Sequence, residues 1–381
     1  TRRSSDLLRE LYRRGLFVDR RADTQVAYQY HDLFREFLLE QCLVRFQGET
    51  LTNLKRIAAG VAERSGQEET AIALYAEMQA WDDLSRVICV MSETWLAQGR
   101  YQTLQSSIAR LPPNERDQRP WLLYWSGMSR LVFDPLGARA DLEAAYRQFE
   151  RTDQDLAGLL LSASGVIESY YCAVDEMFPT IPWGDQLHRL LAQHQGFPSV
   201  AIQAQVMMNL LGLIFACPHH PLLRQLERDV DRILPVLDDP ASRLGVAAVF
   251  LYLPMWRGEL HRIRQLLDEL TPSLQGSALP PRFLVIWRVI EGNYAWNTSN
   301  WEQSREKFQE ALSVIETYGI HVFKPMVWGL QTYAALAAGD DQEAERLADC
   351  ARTVTQSHQR LGLGQHSFYR AGIALMRGDH H

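Results

Sequence analysis

Four short loop signals recur at nearly constant spacing toward the end of the chain. They are Gly258-Glu259, Ser299-Asn300, Gly339-Asp340 and Gly378-Asp379, separated by 41, 40 and 39 residues. A period of this length marks one small supersecondary unit copied along the chain, which buries its apolar face only against its neighbours. After each of the first three signals come small or apolar residues at offsets of four and three: Ile263, Leu267 and Leu270; Ser304, Phe308 and Ala311; Ala344, Ala348 and Ala351. The same spacing occurs earlier at Ala71, Tyr75 and Met78, at Leu104, Ile108 and Leu111, and at Ala138, Leu142 and Ala145. Those offsets place three side chains on one stripe of a helix. From about residue 55 onward nearly every segment reads helical, and no convincing strand pair is present. A chain of 381 residues is too long for one ordinary core, and a stack of repeats resolves that length.

Composition narrows the function classes. With 39 Lys+Arg against 46 Asp+Glu the formal net charge is -7, which argues against this segment as the surface that neutralises nucleic-acid phosphates. The arginines near the start (Arg2, Arg3, Arg9, Arg13, Arg14, Arg20 and Arg21) are interspersed with Asp6, Glu10, Asp19 and Asp23, so even there the local excess is small. Cys42, Cys89, Cys172, Cys217 and Cys350 are odd in number, scattered and never in a C-x-x-C pair, which reads as reduced thiols in a cytoplasm. The longest charge-free stretch, Pro198 to Leu223, holds Gln203, Gln205, Asn209 and His219-His220, each expensive in hydrocarbon, so no membrane span is expected. The sequence opens at Thr1 directly into an amphipathic pattern, which suggests a piece of a longer protein, and His380-His381 read as the start of a purification tag.

The first fifty residues follow a different period. Leu7, Leu8, Leu11 and Tyr12 form a helical stripe with Gly15 as its stop. Leu16, Phe17 and Val18 then read as a short strand, Arg20 to Thr24 as a polar turn, and Val26, Tyr28 and Tyr30 as a second strand. Asp32 is placed to cap a helix carrying Leu33, Phe34, Phe37 and Leu38. Helix, two-stranded ribbon, helix is the back half of a winged helix.

On these residues two resemblances rest. The offset triplets are similar to the second helix of a tetratricopeptide repeat, although the period exceeds the roughly 34 residues of the standard unit. The segment LLRELYRRGLF…YQYHDLFREFLLEQ resembles the winged-helix module that follows the nucleotide-binding core of STAND signalling ATPases, and more narrowly the MalT-like (LuxR/SARP-type) bacterial transcriptional regulators. PWLLYWSGMSRLVFDP and ARADLEAAYRQF also look like members that carry a SARP-type activator domain. The resemblance implies an all-α, TPR-like right-handed superhelix of helix pairs, preceded by a partial winged helix with a small β-ribbon. It implies domains at 1–50 (the C-terminal part of the winged helix) and 51–381 (a helical-repeat sensor), and the helical spacing itself is interrupted most at 175–185, where a break in regularity is expected. In that superfamily a His-Asp pair at this point reaches the phosphates of bound ADP; the matching residues are His31 and Asp32. The bland reading makes Asp32 an N-cap and His31 a half-buried hinge residue.

Motifs for chemistry are missing. None of Lys55, Lys307 and Lys324 sits in a G-x-x-x-x-G-K-[S/T] run, and H-E-x-x-H, G-x-S-x-G and a strand-linked G-x-G-x-x-G are likewise not found. The chain is therefore expected to be no enzyme and to hold no cofactor by itself, with ADP/ATP and Mg belonging to an ATPase domain of the parent protein. Cys217-Pro218-His219-His220 could be read as metal ligands, yet it lacks a second pair at defined spacing and sits between prolines, so an interhelical turn is expected. Prolines punctuate the array at Pro112-Pro113, the FPTIPW connector 178–183, Pro218, Pro221 and Pro280-Pro281.

In a tetratricopeptide pair the first helix lines the concave groove at fixed offsets before the loop. Here those offsets select Tyr252, Trp256, Asn293, Trp296, Asn297 and Tyr333. Aromatic faces with interleaved amides suit a polar ring-shaped ligand such as a sugar, or a peptide. Trp256 and Trp296 could equally fill the seam between helix pairs, as Trp287 and Trp328 are expected to do. The resemblance thus implies an inducer-sensing part of a regulator that binds a small-molecule or protein effector, self-associates on activation and reaches DNA through a separate effector domain. The alternative is a protein-interaction scaffold with no small-molecule ligand.

Overall fold

The computed structural model describes residues 2–22, 26–152, 155–274, 279–355 and 360–379. Thr1, residues 23–25 and His380-His381 lie outside the described residues, as do the side chains of Leu7, Val26 and Tyr28. The chain divides into two compact units, Thr1–Leu84 and Ser85–His381.

The first unit runs α1 (Arg2–Arg13), β1 (Val18–Ala22), β2 (Val26–Tyr30), α2 (Asp32–Arg45), α3 (Gly48–Arg64) and α4 (Glu68–Glu77). The two strands pair antiparallel with Val18 opposite Tyr30 and Ala22 opposite Val26. The first strand begins where the sequence reading ended it. Gly15 and Phe17 both take positive φ (+65° and +54°), so residues 16 and 17 belong to a bend, and the Phe17 carbonyl accepts from the His31 N–H at 2.8 Å. Asp32 is also not the cap. It is the first residue of α2, and His31 occupies the cap position with extended backbone, its side chain making no capping hydrogen bond. A carboxylate in the first turn still favours the helix dipole. Helices α3 and α4 meet through Ala59, Ala62, Ala71, Ile72 and Tyr75, all buried, and Lys55 pairs with Glu77 at 2.7 Å.

The second unit is entirely helical among the described residues. It contains α5 (Trp81–Ala97), α6 (Tyr101–Ile108), α7 (Pro113–Asp117), α8 (Pro120–Arg130), α9 (Pro135–Arg151), α10 (Leu156–Ala173) and α11 (Ile181–Gln193). There follow α12 (Val200–Met207), α13 (Leu211–Ala216), α14 (Pro221–Ile233), α15 (Pro240–Phe250), α16 (Tyr252–Arg257) and α17 (Leu260–Leu270). The last are α18 (Pro281–Asn297), α19 (Trp301–Tyr318), α20 (Lys324–Ala338), α21 (Asp341–Val354) and α22 (Arg360–Arg377). Proline opens α7, α8, α9, α14, α15 and α18, where its missing N–H costs nothing and its fixed φ suits the first turn. For this reason FPTIPW is less of a connector than expected: residues 178–180 form one 3-10 turn and Pro182 already lies in the first turn of α11.

One turn chemistry explains the period. At each signal the first helix ends in a left-handed residue, Gly258, Ser299, Gly339 or Gly378, whose N–H and the next one fold back onto the last turn. The second of these bonds runs Glu259 to Pro254, Asn300 to Ala295, Asp340 to Ala335 and Asp379 to Ala374, at 2.8–3.0 Å. That is the Schellman pattern. Asn300 and Asp340 then cap the following helix through Gln303 and Glu343. Short connections and close packing make α8–α9, α18–α19 and α20–α21 antiparallel pairs. All members of the offset triplets are buried except Met78, which is partly exposed. The stack curls: the turn at Gly99 meets Tyr318 and Pro281, and the Tyr171 hydroxyl donates to Met326 Sδ at 2.9 Å across 155 residues.

Among the described residues one helix is long and apolar enough to cross a membrane, α10, and 83% of it is buried inside the unit. The charge-free stretch 198–223 is broken into α12, α13 and a proline turn.

Candidate functional site

The repeat phase decides which side chains the first helices present near their C-terminal ends. Tyr252 and Trp256 stand one turn apart on α16, Asn293, Trp296 and Asn297 on the last turns of α18, and Tyr333 at the matching place on α20. The structure joins these into two aromatic groups. In one, Phe215 of α13 lies 5.3 Å from Tyr252 and 5.1 Å from Trp256, ring centre to ring centre, with Tyr171 of α10 at 5.7 Å. In the other, Trp296 stacks on Tyr333 at 5.9 Å with planes 10° apart, and Tyr333 meets Phe368 and Tyr369 of α22 at 5.8 and 4.9 Å.

Asn297 spans the gap between the groups. Its amide nitrogen donates to the Asn293 carbonyl at 2.8 Å and lies 3.7 Å from Met255 Sδ, the neighbour of Trp256. The Asn293 side-chain oxygen is buried and has no hydrogen-bond partner among the described residues. An amide oxygen of that kind is an acceptor waiting for an N–H or O–H.

Exposure separates the six candidates. Trp256 is 49% exposed and Phe368 63%, so these rings form an open face and not a filled seam. Trp296 and Tyr333 are half-buried with one stacked surface, and Asn297 is exposed. Tyr252 and Asn293, expected in the open groove, are instead buried beneath it, because the Phe215 ring covers Tyr252 and the last turn of α18 packs inward at Asn293. Burial pushes the Tyr252, Tyr333 and Tyr369 phenols up, so they stay neutral hydrogen-bonding groups at physiological pH. Trp287 is fully buried as expected, whereas Trp328 is half-buried beside Lys324, whose Nζ lies 5.8 Å from its ring centre.

Phe215 and Phe368 were missed from the sequence. Phe215 lies on α13, which has six residues and is followed by Cys217-Pro218 without a loop signal, and Phe368 lies ten residues before Gly378, one turn farther from its signal than the positions that the offsets select. A buried polar group was missed as well. Glu168 on α10, Asn209 after α12 and Arg282 on α18 all lie in the interior of the second unit.

The histidine pair after α13 serves structure. Nδ1 of His220 accepts from the Leu222 N–H at 3.2 Å and so caps α14, which leaves Nε2 as the protonated nitrogen, 3.2 Å from the Asp185 carboxylate. Burial lowers the His220 pKa, with Asp185 opposing.

In the first unit, His31 lines a cleft of about 660 Å³ with Tyr12, Gly15, Phe17, Val18, Leu33, Phe34 and Phe37. His31 and Asp32 are both exposed, and Asp32 lies 3.6 Å from Arg35. Phe34 stacks on Phe17 at 5.0 Å, while no residue of α2 is fully buried.

No curated protein matches the chain. Among solved structures it is similar to a Rap protein complexed with competence and sporulation factor, at 10% identity and a TM-score of 0.47, over 86% of this chain and 99% of that one. Residues 1–50, the helix–ribbon–helix segment that carries His31 and Asp32, match the MalT winged helix domain.

Proposed function

We propose that the chain is the inducer-sensing part of a MalT-like, STAND-type transcriptional regulator, binding its effector on the aromatic and amide face of α16, α18 and α20. The observation that carries this reading is the Trp296–Tyr333 stack beside the bridging Asn297 amide, next to the open ring of Trp256. Stacked rings offer flat apolar area and the amides offer direction, the combination that fixes a small polar ligand. The match of residues 1–50 to the MalT winged helix domain supports the regulatory half of the reading.

In this scheme His31 and Asp32 contact the phosphates of ADP held by an ATPase domain of the parent protein, and the resting state is closed. The present chain performs no chemistry; ADP/ATP and Mg belong to that other domain, as DNA contact belongs to a further one. The regulator works in the cytoplasm and self-associates when active. Its effector must bind the open arrangement more tightly than the closed one, since equal affinity for both shifts nothing.

The exposure of Trp256 and Phe368 also favours a second reading, in which the same face docks a protein and the chain is a scaffold. Two experiments separate the readings. A thermal-shift screen of sugars and other small metabolites gives a saturable hit under the sensor reading. Under the scaffold reading no metabolite shifts the transition, and a co-purifying protein is lost when Trp256 is changed to Ala.

A further inference from the structure

The interior of the second unit contains an arginine without a counter-ion. Arg282, in the first turn of α18, is 7% exposed, and among the described residues no carboxylate forms an ion pair with it. Its Nη2 donates to the Asn209 side-chain oxygen at 3.0 Å. Asn209 in turn donates to Ser164 Oγ at 3.3 Å, and Ser164 donates to the Leu161 carbonyl at 3.0 Å. The guanidinium also lies 4.5 Å from the Phe283 ring centre. Its Nε has no partner among the described residues.

Two more orphans share its electrostatic surroundings. Among the described residues the buried Tyr101 hydroxyl, from α6, has no hydrogen-bond partner, and neither has Oε2 of Glu168, one turn beyond Ser164 on α10. The other carboxyl oxygen of Glu168 has only the Cys172 thiol, at 4.0 Å. The Arg282 charge acts on Tyr101, Tyr124, Glu168 and Cys172 alike. At Glu168, however, burial outweighs that attraction and pushes the carboxyl up to about 7.

A guanidinium taken from water without a counter-ion is costly, and hydrogen-bonding water would satisfy its N–H groups but not its charge. Either of two arrangements satisfies both. Glu168 can ionise and balance Arg282 from within, or Glu168 can keep its proton and leave the positive charge to an external anion. In the second arrangement Arg282 Nε, the Tyr101 hydroxyl and the Glu168 carboxyl are three donors without acceptors. The planar arginine fork matches a carboxylate, and with Asn209 and Ser164 beside it fully buried this interior suits only a ligand of a few heavy atoms.

We propose that Arg282 and Tyr101 form an interior receptor for one small carboxylate of formate or acetate size, separate from the aromatic face, which is taken up together with a proton on Glu168. The ionisable groups around Glu168 are Tyr171 and Cys172 on its own helix, Tyr101 from α6, Tyr124 from α8 and Arg282 from α18. On α9 Arg139 turns to Ser169 and Tyr170, α11 carries His188, Arg189 and Asp185, which pairs with His220, and α12 and α13 carry no ionisable side chain. Burial raises all three phenols and the thiol and keeps them neutral, so among these groups Glu168 is the one that changes charge near neutrality.

The test uses the full chain. Thermal unfolding is followed while sodium acetate or formate replaces sodium chloride at constant ionic strength, at pH 6 and pH 8. A saturable rise in Tm with the carboxylates is expected, with an apparent affinity about tenfold weaker at pH 8, as Glu168 passes from mostly protonated to mostly ionised. Glu168→Gln should bind equally at both pH values, Tyr101→Phe should bind more weakly with its fold retained, and Arg282→Gln should not respond. Should Arg282→Gln fail to fold, the Tyr101 and Glu168 variants decide. No saturable rise over chloride, or a rise left unchanged by Tyr101→Phe and still pH-dependent in Glu168→Gln, overturns the proposal.

Discussion

Ser299 holds φ at +60° in a turn where Gly258, Gly339 and Gly378 hold +72°, +81° and +77°. Only glycine reaches that region without steric cost, so the repeat has kept its turn at Ser299 against the residue's preference. Ser299→Gly is expected to stabilise the chain by about 0.5–1 kcal/mol, the part of the left-handed penalty that exceeds the extra entropy of an unfolded glycine. Urea unfolding checks it, and a lower midpoint would show that the serine side chain contributes something its backbone does not reveal. At the same scale, Glu168 makes stability depend on pH. Its folded carboxyl sits near 7 against an ordinary 4.5, so between those values the unfolded state ionises while the folded state stays protonated. Stability therefore falls as pH rises through that window and levels off above it, by a few kcal/mol in all. Glu168→Gln should remove this part of the profile and leave the variant more stable than the parent at pH 8. The repeat turns were legible because glycine and the Asn or Asp caps announce them. Glu168 and Arg282 were not, since they lie 114 positions apart and meet only when the stack has curled.

At the scale of elements, the offset triplets did identify the buried stripe of each second helix, and the reason is the way the first helix meets it. Gly292 of α18 lies so close to Phe308 of α19 that an added Cβ would stand 2.7 Å from the ring. Phe308 is fully buried and cannot swing away without opening the pair. Gly292→Ala should destabilise by about 1–3 kcal/mol, the usual result of overpacking, although alanine is the better helix former. Unchanged thermal stability would mean that the pair is looser than its geometry implies. The first fifty residues were read correctly in order but not in register. Residues 16 and 17 look like strand from their side chains, whereas the positive φ of Gly15 and Phe17 puts them in the bend. Side-chain pattern carries no information about a backbone sign that only the closing His31–Phe17 hydrogen bond requires. Residue type points to Asp32 as the cap, while the non-helical backbone of His31 makes that residue the cap and starts the helix one residue earlier.

For the whole molecule, the aromatic face was half legible. The loop phase selects turns of α16, α18 and α20 whose rings the structure gathers into two aromatic groups, yet it does not tell which ring a neighbour covers, and Tyr252 and Asn293 lie beneath the surface. It also overlooked Phe215, on a helix without the loop signal, and Phe368, one turn farther from Gly378 than the offsets reach, and both extend the face. The effector reading rests on that face as a unit: the Trp296–Tyr333 stack, the Asn297 bridge and the open Trp256 ring. Calorimetric titration of a metabolite hit into the parent chain and into Trp296→Ala, with circular dichroism recorded on both, tests it most directly. The account predicts saturable one-site binding to the parent, loss of at least tenfold in affinity in the variant, and superimposable helical spectra. Equal affinity in the two proteins, or a variant that loses its helicity, would contradict it.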